Sequence, residues 1–505
     1  MAGAVKAGAE PREVELKLDG EPDAVERLRS HPLLDGAGRT ERLRAVYFDT
    51  DDFALKAAGI SLRIRRSGRK RVQTIKAARG AGLALDRSEW DHPVSGDALD
   101  LSAAAGTALE PLLADERVRA SLKPRFTVEV ERTAATVERD GSALEVALDR
   151  GTVSANGAAR PLAEVELELK SGDPAALFGV ARTLAEAAPL RLSFKAKSER
   201  GYDLLSGEGP KPTKAEPLRL HPGMTSGDAF RAIGRSCLRQ FVANEAVLRA
   251  DRNPDAVHQM RVALRRLRAA VTLFKDAVAD GERDEVRADL KRMADELGPA
   301  RDLDVFIVET LRPAAARHGT DPAFAALLAE YEERREAAYG RVLDALRSGD
   351  LSRSALRTAA WIEAGQWRGS EGASVARDRP VAEHAAAELD RRWRKVRRRA
   401  RRLRRLSPDA RHEVRIEIKK LRYAAEFFAG LFARRGKERK AALSTLAELQ
   451  EVLGTLNDIA LAAAEPGTGA LRAIQEERAA RVEPLLAEAK AAVRAFRGLE
   501  PFWRG

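Results

Sequence analysis

Between residues 13 and 170 the chain repeats one pattern, short runs in which apolar and polar side chains alternate. Glu13–Leu18, Ala45–Asp49, Ser61–Arg66, Arg71–Ala77, Phe126–Arg132, Ala143–Asp149 and Glu164–Lys170 all alternate or are rich in β-branched residues. A period of two predicts strands with one face to each side of a sheet. Turn-like pieces separate several of them: Ser67–Lys70, the residues around Asp140 and Gly141, and Arg150–Gly157. Helical stretches are expected near Asp23–Arg29 and over Ala175–Ala187. At least seven strands joined by hairpins predict an antiparallel sheet closed, or nearly closed, into a barrel.

The pattern then changes. Gly207–Pro222 holds four prolines and two glycines and reads as a linker. From about Gly227 to the end the periodicity is helical, with stops expected at Asp280–Gly281, Gly298–Pro299, Arg312–Pro313, Ser407–Pro408 and Gly436. The reading is an α+β multidomain protein: residues 10–206 a β-barrel domain, 207–224 a linker, and 225–505 an all-α domain of eight to ten helices.

The polar positions of the strands carry clustered charges, most of the clusters being of one sign. Glu13, Glu15 and Lys17 share a face, as do Arg63 and Arg65, and Glu164, Glu166 and Glu168. A solvated face would explain polar residues, but same-sign clusters repel on a bare surface. A lumen that holds a cation and a polyanion explains both signs.

The helical part contains an internal repeat at an offset of 154 residues. His258, Arg261, Arg265, Arg266, Leu267 and Arg268 correspond to His412, Arg415, Lys419, Lys420, Leu421 and Arg422. A second echo follows, Leu297-Gly298 and Asp302 against Leu453-Gly454 and Asp458. At 100° per residue, His258, Arg261, Arg265 and Arg268 fall within a sector of about 80°, as do His412, Arg415, Lys419 and Arg422. An apolar stripe beside each one supplies a bundle core. Two basic stripes in register, each with a histidine, predict a phosphate-binding groove. The run Arg391–Arg405 is the most basic stretch, yet Trp393, Val396, Ala400 and Leu403 keep helical spacing within it, which predicts a helix with a core face.

Charge supports this division. The 505 residues carry a formal net charge of +12. Residues 1–210 hold 32 basic and 34 acidic side chains and the remainder 57 and 43, so the excess that calls for a polyanionic partner lies in the helical part. Sparse aromatics among the basic helices argue against base stacking and hence against nucleic acid. One cysteine, Cys237, excludes an intrachain disulfide framework and a thiolate zinc site. No apolar run of about 18 residues is present, and Met1–Pro11 lacks the apolar core of a secretory signal, so a cytoplasmic protein with no membrane association is expected. The oligomeric state is not legible.

Residues 13–17, Glu-Val-Glu-Leu-Lys, resemble the Glu-x-Glu-x-Lys opening of the CYTH domain of the triphosphate tunnel metalloenzymes. Tyr47–Thr50, Leu62–Arg65, Thr74–Lys76, Arg87-Ser-Glu89, Arg132, Asp149, Glu164–Glu168 and Lys197–Tyr202 resemble its later elements in order. The helical part resembles the CHAD domain, a family associated with polyphosphate binding. Together they are similar to bacterial CYTH–CHAD inorganic triphosphatases. The resemblance implies an eight-stranded triphosphate tunnel and metal-dependent hydrolysis of inorganic triphosphate to diphosphate and phosphate. It implies Lys17, Arg63, Arg65, Lys76, Arg132, Lys197 and Arg200 on the substrate, with Arg87 beside them. Lys195 stands as the alternative to Lys197, and Arg125 as a substitute or helper for Arg132. Glu13, Glu15, Lys17, Glu166 and Glu168 are the implied catalytic residues. Glu13, Glu15, Glu89, Asp149, Glu164, Glu166 and Glu168 would hold Mg²⁺ or Mn²⁺, since hard cations take oxygen ligands. Inorganic polyphosphate is the implied partner of His258, Arg261, Arg265, Arg268, His412, Arg415, Lys419 and Arg422. The rivals are a non-catalytic polyphosphate-binding scaffold and an enzyme, triphosphatase or cyclase, that acts on an organic triphosphate.

Overall fold

The structure is a computed structural model that describes residues 12–34, 39–78, 82–319, 321–464, 467 and 469–504. The expectation for Met1–Pro11 lies outside the described residues. Packing divides the chain into two compact units. One ends its first segment at Lys211 and also includes Ala345–Ala364; the other comprises Pro212–Asp344 and Gly365–Gly505.

In the first unit the seven expected strands are present, with two more. They are β1 (Arg12–Asp19), β2 (Arg39–Asp49), β3 (Ile60–Ser67), β4 (Lys70–Ala78), β5 (Leu85–Pro93), β6 (Lys123–Arg139), β7 (Ser142–Ala155), β8 (Ala158–Ser171) and β9 (Arg191–Ser193). The antiparallel order β5-β4-β3-β2-β6-β7-β8-β1 closes on itself because β1 pairs back onto β5, Glu13 lying opposite Arg87. Eight strands thus make a closed barrel. The second half of β1 has β9 as its neighbour instead, Lys17 opposite Ser193.

The Arg150–Gly157 stretch departs from its expected turn. β7 continues to Ala155 and the turn is confined to Asn156 and Gly157. Val153 and Ala155 are buried, and Gly151 lets β6 come close, since a Cβ there would lie 1.8 Å from the Glu129 carbonyl oxygen. The local composition looks like a turn, but the long pairing with β6 and β8 decides the conformation.

Alternation sorts the wall of the barrel. Leu16, Leu18, Val146, Val165 and Leu167 are fully buried on the side away from Glu15, Lys17 and Glu166. There the helix α1 (Ala175–Ala187) packs on β1, β7 and β8. Helix α2 (Lys197–Ser206) brings Tyr202 and Leu204 onto Leu43, Tyr47, Phe126 and Val128. Its first turn is fixed by the Glu199 carboxylate, which accepts from the Ala196 N–H at 2.7 Å.

The second unit is helical: α3 (Ser226–Ala250), α4 (Pro254–Leu273), α5 (Arg283–Phe306), α6 (Pro322–Arg347) and, after an intervening helix α7 (Asp350–Ala364), α8 (Val381–Arg399), α9 (Pro408–Phe427), α10 (Gly436–Ala464), α11 (Gly469–Ala479) and α12 (Val482–Gly498). Helix α7 (Asp350–Ala364) belongs to the first unit, where it packs on α1 and β9. Asp280 does separate helices, its carboxylate accepting from the N–H groups of Glu282 and Arg283. Ser407 caps α9 by accepting from Ala410 N–H at 3.2 Å. Arg312–Pro313 does not stop a helix: α5 continues through a π-helical turn, Ile307–Leu311, directly into the helix Arg312–His318. Gly298–Pro299 does not stop a helix, because α5 runs through it. A proline clashes with the Cβ of the residue before it in a helix, and Gly298 has none.

The basic run keeps the core face its spacing predicts, with Trp393, Val396, Ala400 and Leu403 buried while Arg394, Arg397 and Arg401 are exposed, but the helix α8 ends at Arg399 and a 3-10 segment kinked at Arg402 carries the rest. The two repeat helices, α4 and α9, pack directly on each other, and each also packs on the helix that follows it, α5 or α10.

Candidate active site

The lumen of the barrel is a cavity of about 360 Å³. Strand register decides which charges meet in it. Lys17 stands opposite Glu166, and Arg132 opposite Asp149. Lys76 stands opposite Glu89. The register also sets acid against acid: Glu15 faces Glu168 on one side of β8, and Asp149 faces Glu164 across β7 and β8. Like charges directly opposite destabilise a sheet, so cations must lie among them.

They do. The Lys197 ammonium, carried in by the first turn of α2, is 2.7 Å from Asp149, 2.5 Å from Glu164 and 2.8 Å from Glu166. Arg132 grips both oxygens of Asp149, with Nε at 2.7 Å and Nη2 at 2.6 Å, and also donates to Glu166. Lys17 pairs with Glu166 and is 3.4 Å from Glu15 and 3.6 Å from Glu164. On the other side of β1, Lys76 donates to Glu13 at 2.6 Å and lies 3.1 Å from Glu89. Arg87 pairs with both Glu13 and Glu15. Arg63 reaches the Tyr47 hydroxyl at 3.3 Å and Glu89 at 4.0 Å.

These pairings keep the carboxylates ionised in a buried site. Burial alone would raise the pKa of Glu164, but Lys197, Lys17 and Arg200 outweigh it and bring it down to about 2. Glu13 also falls to about 2, burial being overcome by Lys76 and Arg87. Asp149 is driven down in the same way by Lys197 and Arg132. Among the cations, burial and the neighbouring Lys197 lower Lys17 to about 7. The Arg65 guanidinium is lowered chiefly by its neighbour Arg63, then by burial, which marks a position short of negative charge.

Most of the expected site residues therefore converge. Glu13, Glu15, Lys17, Arg63, Arg65, Lys76, Glu89, Arg132, Glu166, Glu168 and Lys197 all line the cavity. Asp149 and Glu164 are wholly buried behind Lys197. Glu168 lies at a more open position, where it pairs with Lys170 at 2.8 Å. Arg200 sits behind Glu164, 3.4 Å from its outer oxygen, and pairs with Asp19. Of the two alternatives, Lys195 turns to Asp203 at 2.5 Å and Lys197 takes the lumen. Arg125 pairs with the exposed Asp51 and stacks over Phe53 rather than entering the cavity. Asp91, Glu145 and Lys170 also line the lumen. Each lies two residues, or a multiple of two, from an expected site residue on its strand, so the alternation held the signal.

A divalent cation can be tested against this donor set. Oxygens of Asp149, Glu164 and Glu166 lie within 4.8 Å of one another. The buried Glu164 Oε2 receives no hydrogen bond, Arg200 standing 3.4 Å away. An all-oxygen, carboxylate-rich group suits a hard divalent ion, so the residues present fit one.

The helical unit has its own cationic site, on the facing sides of α4 and α9. Gly298 and Gly454 explain the second echo of the repeat. A Cβ at 298 would lie 3.0 Å from an Arg261 Nη1, and one at 454 would lie 3.3 Å from Arg415 Nη2. Each glycine thus leaves the neighbouring guanidinium room to cross the helix, and Arg261 uses it to donate to Ala294 O at 3.0 Å. Asp302 stands 3.5 Å from Arg261, as its repeat mate Asp458 acts on Arg415. The histidines differ. His412 Nδ1 and Asn457 Oδ1 are 2.5 Å apart, whereas the buried His258 Nδ1 has no hydrogen-bond partner and has Arg301 nearby in the position of Asn457. Burial, Arg301 and Arg265 push the His258 pKa down. Arg265 and Lys419 line a common pocket with Arg268. Burial and then Arg415 and Arg265 bring the Lys419 ammonium down to about 8. Arg422 pairs with Glu426 at 3.2 Å.

A closed barrel with buried carboxylates and cations in its lumen, followed by a repeated basic helical unit, defines a protein of two modules. Comparison with known proteins gives the modules their names. Residues 11–202 match the CYTH domain and residues 232–465 the CHAD domain; the chain joins a CYTH domain to a CHAD domain. An inorganic triphosphatase of Haemophilus influenzae is 31% identical over 159 residues, 31% of this chain and 44% of that protein. An uncharacterized protein of Mycobacterium tuberculosis is 30% identical over 291 residues, 53% of this chain and 52% of that protein. The chain thus spans about half the length of the curated relatives it matches. The crystal structure of the CHAD domain from the plant Ricinus communis is 29% identical and covers 58% of this chain and 98% of its own, with a TM-score of 0.49. No helix among the described residues is long and apolar enough to cross a membrane.

Proposed function

We propose that the barrel hydrolyses inorganic triphosphate to diphosphate and phosphate with Mg²⁺ or Mn²⁺, and that the helical unit binds inorganic polyphosphate. One observation carries the first part: Asp149 and Glu164, both fully buried, are set opposite each other in register within a lumen where Lys17, Arg132 and Lys197 converge. A binder of phosphate alone has no use for buried acids in its path; an enzyme that also takes a cation does. The H. influenzae relative, named an inorganic triphosphatase, supports the same reading.

In this reading Asp149, Glu164 and Glu166 would hold a divalent ion, with Glu13 and Glu15 beside them and Glu89 and Glu168 further along the lumen. Bound there, it would supply charge neutralisation at phosphoryl oxygens and a more acidic water. Lys17 and Lys197 are the cations at the carboxylate end that would contact substrate. Arg63, Arg65, Lys76 and Arg132 hold the chain of phosphates, Arg by bidentate contact and Lys as a point charge. Arg200 acts through Glu164. Water attacks the terminal phosphorus, the bond from that phosphorus to the bridging oxygen breaks, and diphosphate leaves with the bond pair. Phosphoryl transfer of this kind needs positioning and charge stabilisation more than covalent chemistry. In the helical unit, Arg261, Arg265, Arg268, Arg415, Lys419 and Arg422 would bind polyphosphate oxygens, with His258 and His412 as further donors.

The test is phosphate release from tripolyphosphate and from ATP, with Mg²⁺, Mn²⁺ or EDTA, for the native chain and for Glu13→Ala/Glu15→Ala. The expected result is metal-dependent release that favours tripolyphosphate and falls by at least about 100-fold in the double variant, roughly 2.7 kcal/mol of barrier. No release with any metal, while long-chain polyphosphate still binds, would replace this reading with a scaffold. Preference for ATP would move the substrate to an organic triphosphate.

A further inference from the structure

Exposure along the barrel wall gives the lumen a direction. On β8 the Glu164 side chain is fully buried, Glu166 is 13% exposed, Glu168 29% and Lys170 43%. β7 rises the same way, from none at Asp149 to 36% at Glu145. In the opposite direction the polar side chains give out. Leu162 of β8, Val153 and Ala155 of β7, and Phe126 and Val128 of β6 form one buried cluster with Tyr47, and helix α2 completes it with Tyr202 and Leu204. The helix is held tightly there. A Cβ at Gly201 would lie 2.2 Å from the Phe126 ring, and the Tyr202 hydroxyl donates to the buried Asp49 at 2.6 Å. Tyr47 and Val128 belong both to this cluster and to the lining of the lumen, so the cluster forms its floor.

A floor limits length. A phosphate chain enters by one end and stops where apolar side chains offer its oxygens no hydrogen bonds. From Glu164 to Glu168 is roughly 13 Å of strand, or about 10 Å of depth at the usual tilt of barrel strands. The charge at the mouth differs from the charge below it. Glu145 and Glu168 stand opposite each other in register. Lys170 is 2.8 Å from Glu168 and 3.8 Å from Glu145. Two carboxylates against one ammonium leave this side of the mouth negative, whereas Lys17, Arg132 and Lys197 crowd the acids below it. A phosphate at the level of the mouth therefore meets like charge.

We propose that Glu145 sets the length of phosphate chain that the barrel accepts: three phosphates lie between floor and mouth, and a fourth is repelled by Glu145 and Glu168. This rests on the reading of the barrel as a triphosphatase. A long polyphosphate, such as the helical unit would bind, is then not threaded through the barrel, and any cut falls at a chain end.

Tripolyphosphate and tetrapolyphosphate are compared as kcat/KM with Mg²⁺ on the native full-length chain, Glu145→Gln and Glu145→Lys. The native chain is expected to favour tripolyphosphate; preference for tetrapolyphosphate overturns the proposal. The ratio of tetra- to tripolyphosphate should rise about threefold in Glu145→Gln and at least about tenfold in Glu145→Lys, chiefly through the KM for tetrapolyphosphate. A merely structural role would lower both substrates alike, and an unchanged ratio overturns the proposal. Glu145→Gln carries the test if charge reversal prevents folding. Hydrolysis of a tetraphosphate chain that bears a phenyl ester at both ends would show that chains pass through the barrel and would overturn the floor. If the native chain hydrolyses neither substrate, the triphosphatase reading falls by itself. The ratio is then taken from calorimetric affinities with Mg²⁺, to which the helical unit contributes equally in native chain and variant. The same change on Glu145→Lys is expected there, and an unchanged ratio overturns the proposal.

Discussion

Glu164 shows what a single buried acid contributes. It has no solvent exposure, and burial alone would raise its pKa, but Lys197, Lys17 and Arg200 together lower it from 4.5 to about 2. A carboxylate depressed in the folded state contributes stability that is full above its unfolded pKa and is lost as pH falls through the folded one. Glu164 should thus supply up to about 3 kcal/mol at neutral pH that disappears between pH 4.5 and 2. Urea unfolding of the native chain and of Glu164→Gln across that range checks this: the variant is expected to be less stable at pH 7, with the two curves converging towards pH 2. Parallel curves would show that Glu164 is not held ionised. Lys419 has the opposite chemistry. Burial, Arg415 and Arg265 lower it from 10.5 to about 8, so below pH 8 the folded state carries an unfavourable ammonium, and stability from this group rises with pH between 8 and 10.5. An anion reverses the shift. Polyphosphate binding at pH 8.5 should take up protons, seen by calorimetry in buffers of different ionisation enthalpy. Lys419→Arg, always charged, should abolish that uptake while binding persists.

At the scale of elements, the sequence was most legible where two levels of pattern agreed. All seven alternating runs became strands, and alternation placed Glu13, Glu15 and Lys17 on one face, where the structure has them in the lumen. β9 escaped because three residues carry no period, and β5 because its lumen face, Arg87, Glu89 and Asp91, is charged and its other face mixed. Local composition misled three times, at Arg150–Gly157, at Gly298–Pro299 and at Arg312–Pro313, and at the first two a glycine admits a close neighbour. That neighbour, Glu129 in one case and Arg261 in the other, is remote in sequence, so no local pattern could reveal it. The repeat did point to Gly298 and Gly454, though not to their purpose. Gly298→Ala and Gly454→Ala should each displace one guanidinium, since the added Cβ meets the end of a flexible side chain. A stability change below about 1 kcal/mol and several-fold weaker polyphosphate binding are expected from each, read by thermal melting and by a filter-binding titration. Gly151→Ala is the contrast. Its Cβ would strike backbone at 1.8 Å, so a loss of about 2 kcal/mol or more is expected from overpacking alone.

At the scale of the molecule, chain order and packing disagree. The expected helical domain comprised residues 225–505, and Ala345–Ala364 lies deep in that stretch, yet it packs within the unit that contains the barrel. Helix α7 rests on α1 and β9 there. Both of these touch β1, the strand that carries Glu13, Glu15 and Lys17. Leu351, Leu356, Trp361 and Ile362 of α7 are buried, and each fully buried side chain of this size is worth roughly 1.5–3 kcal/mol. A chain that ends at Lys211 keeps every lumen residue but loses this cover. It should fold less stably, with a melting midpoint roughly 10 °C lower than that of the same chain with Ala345–Ala364 appended through a flexible linker. Tripolyphosphate hydrolysis should fall in parallel, because β9 no longer holds the second half of β1 in place, and should return with the appended helix. Equal midpoints for the two chains would show that the barrel is complete without α7, and that the helix contributes only to the part of the chain from which it comes.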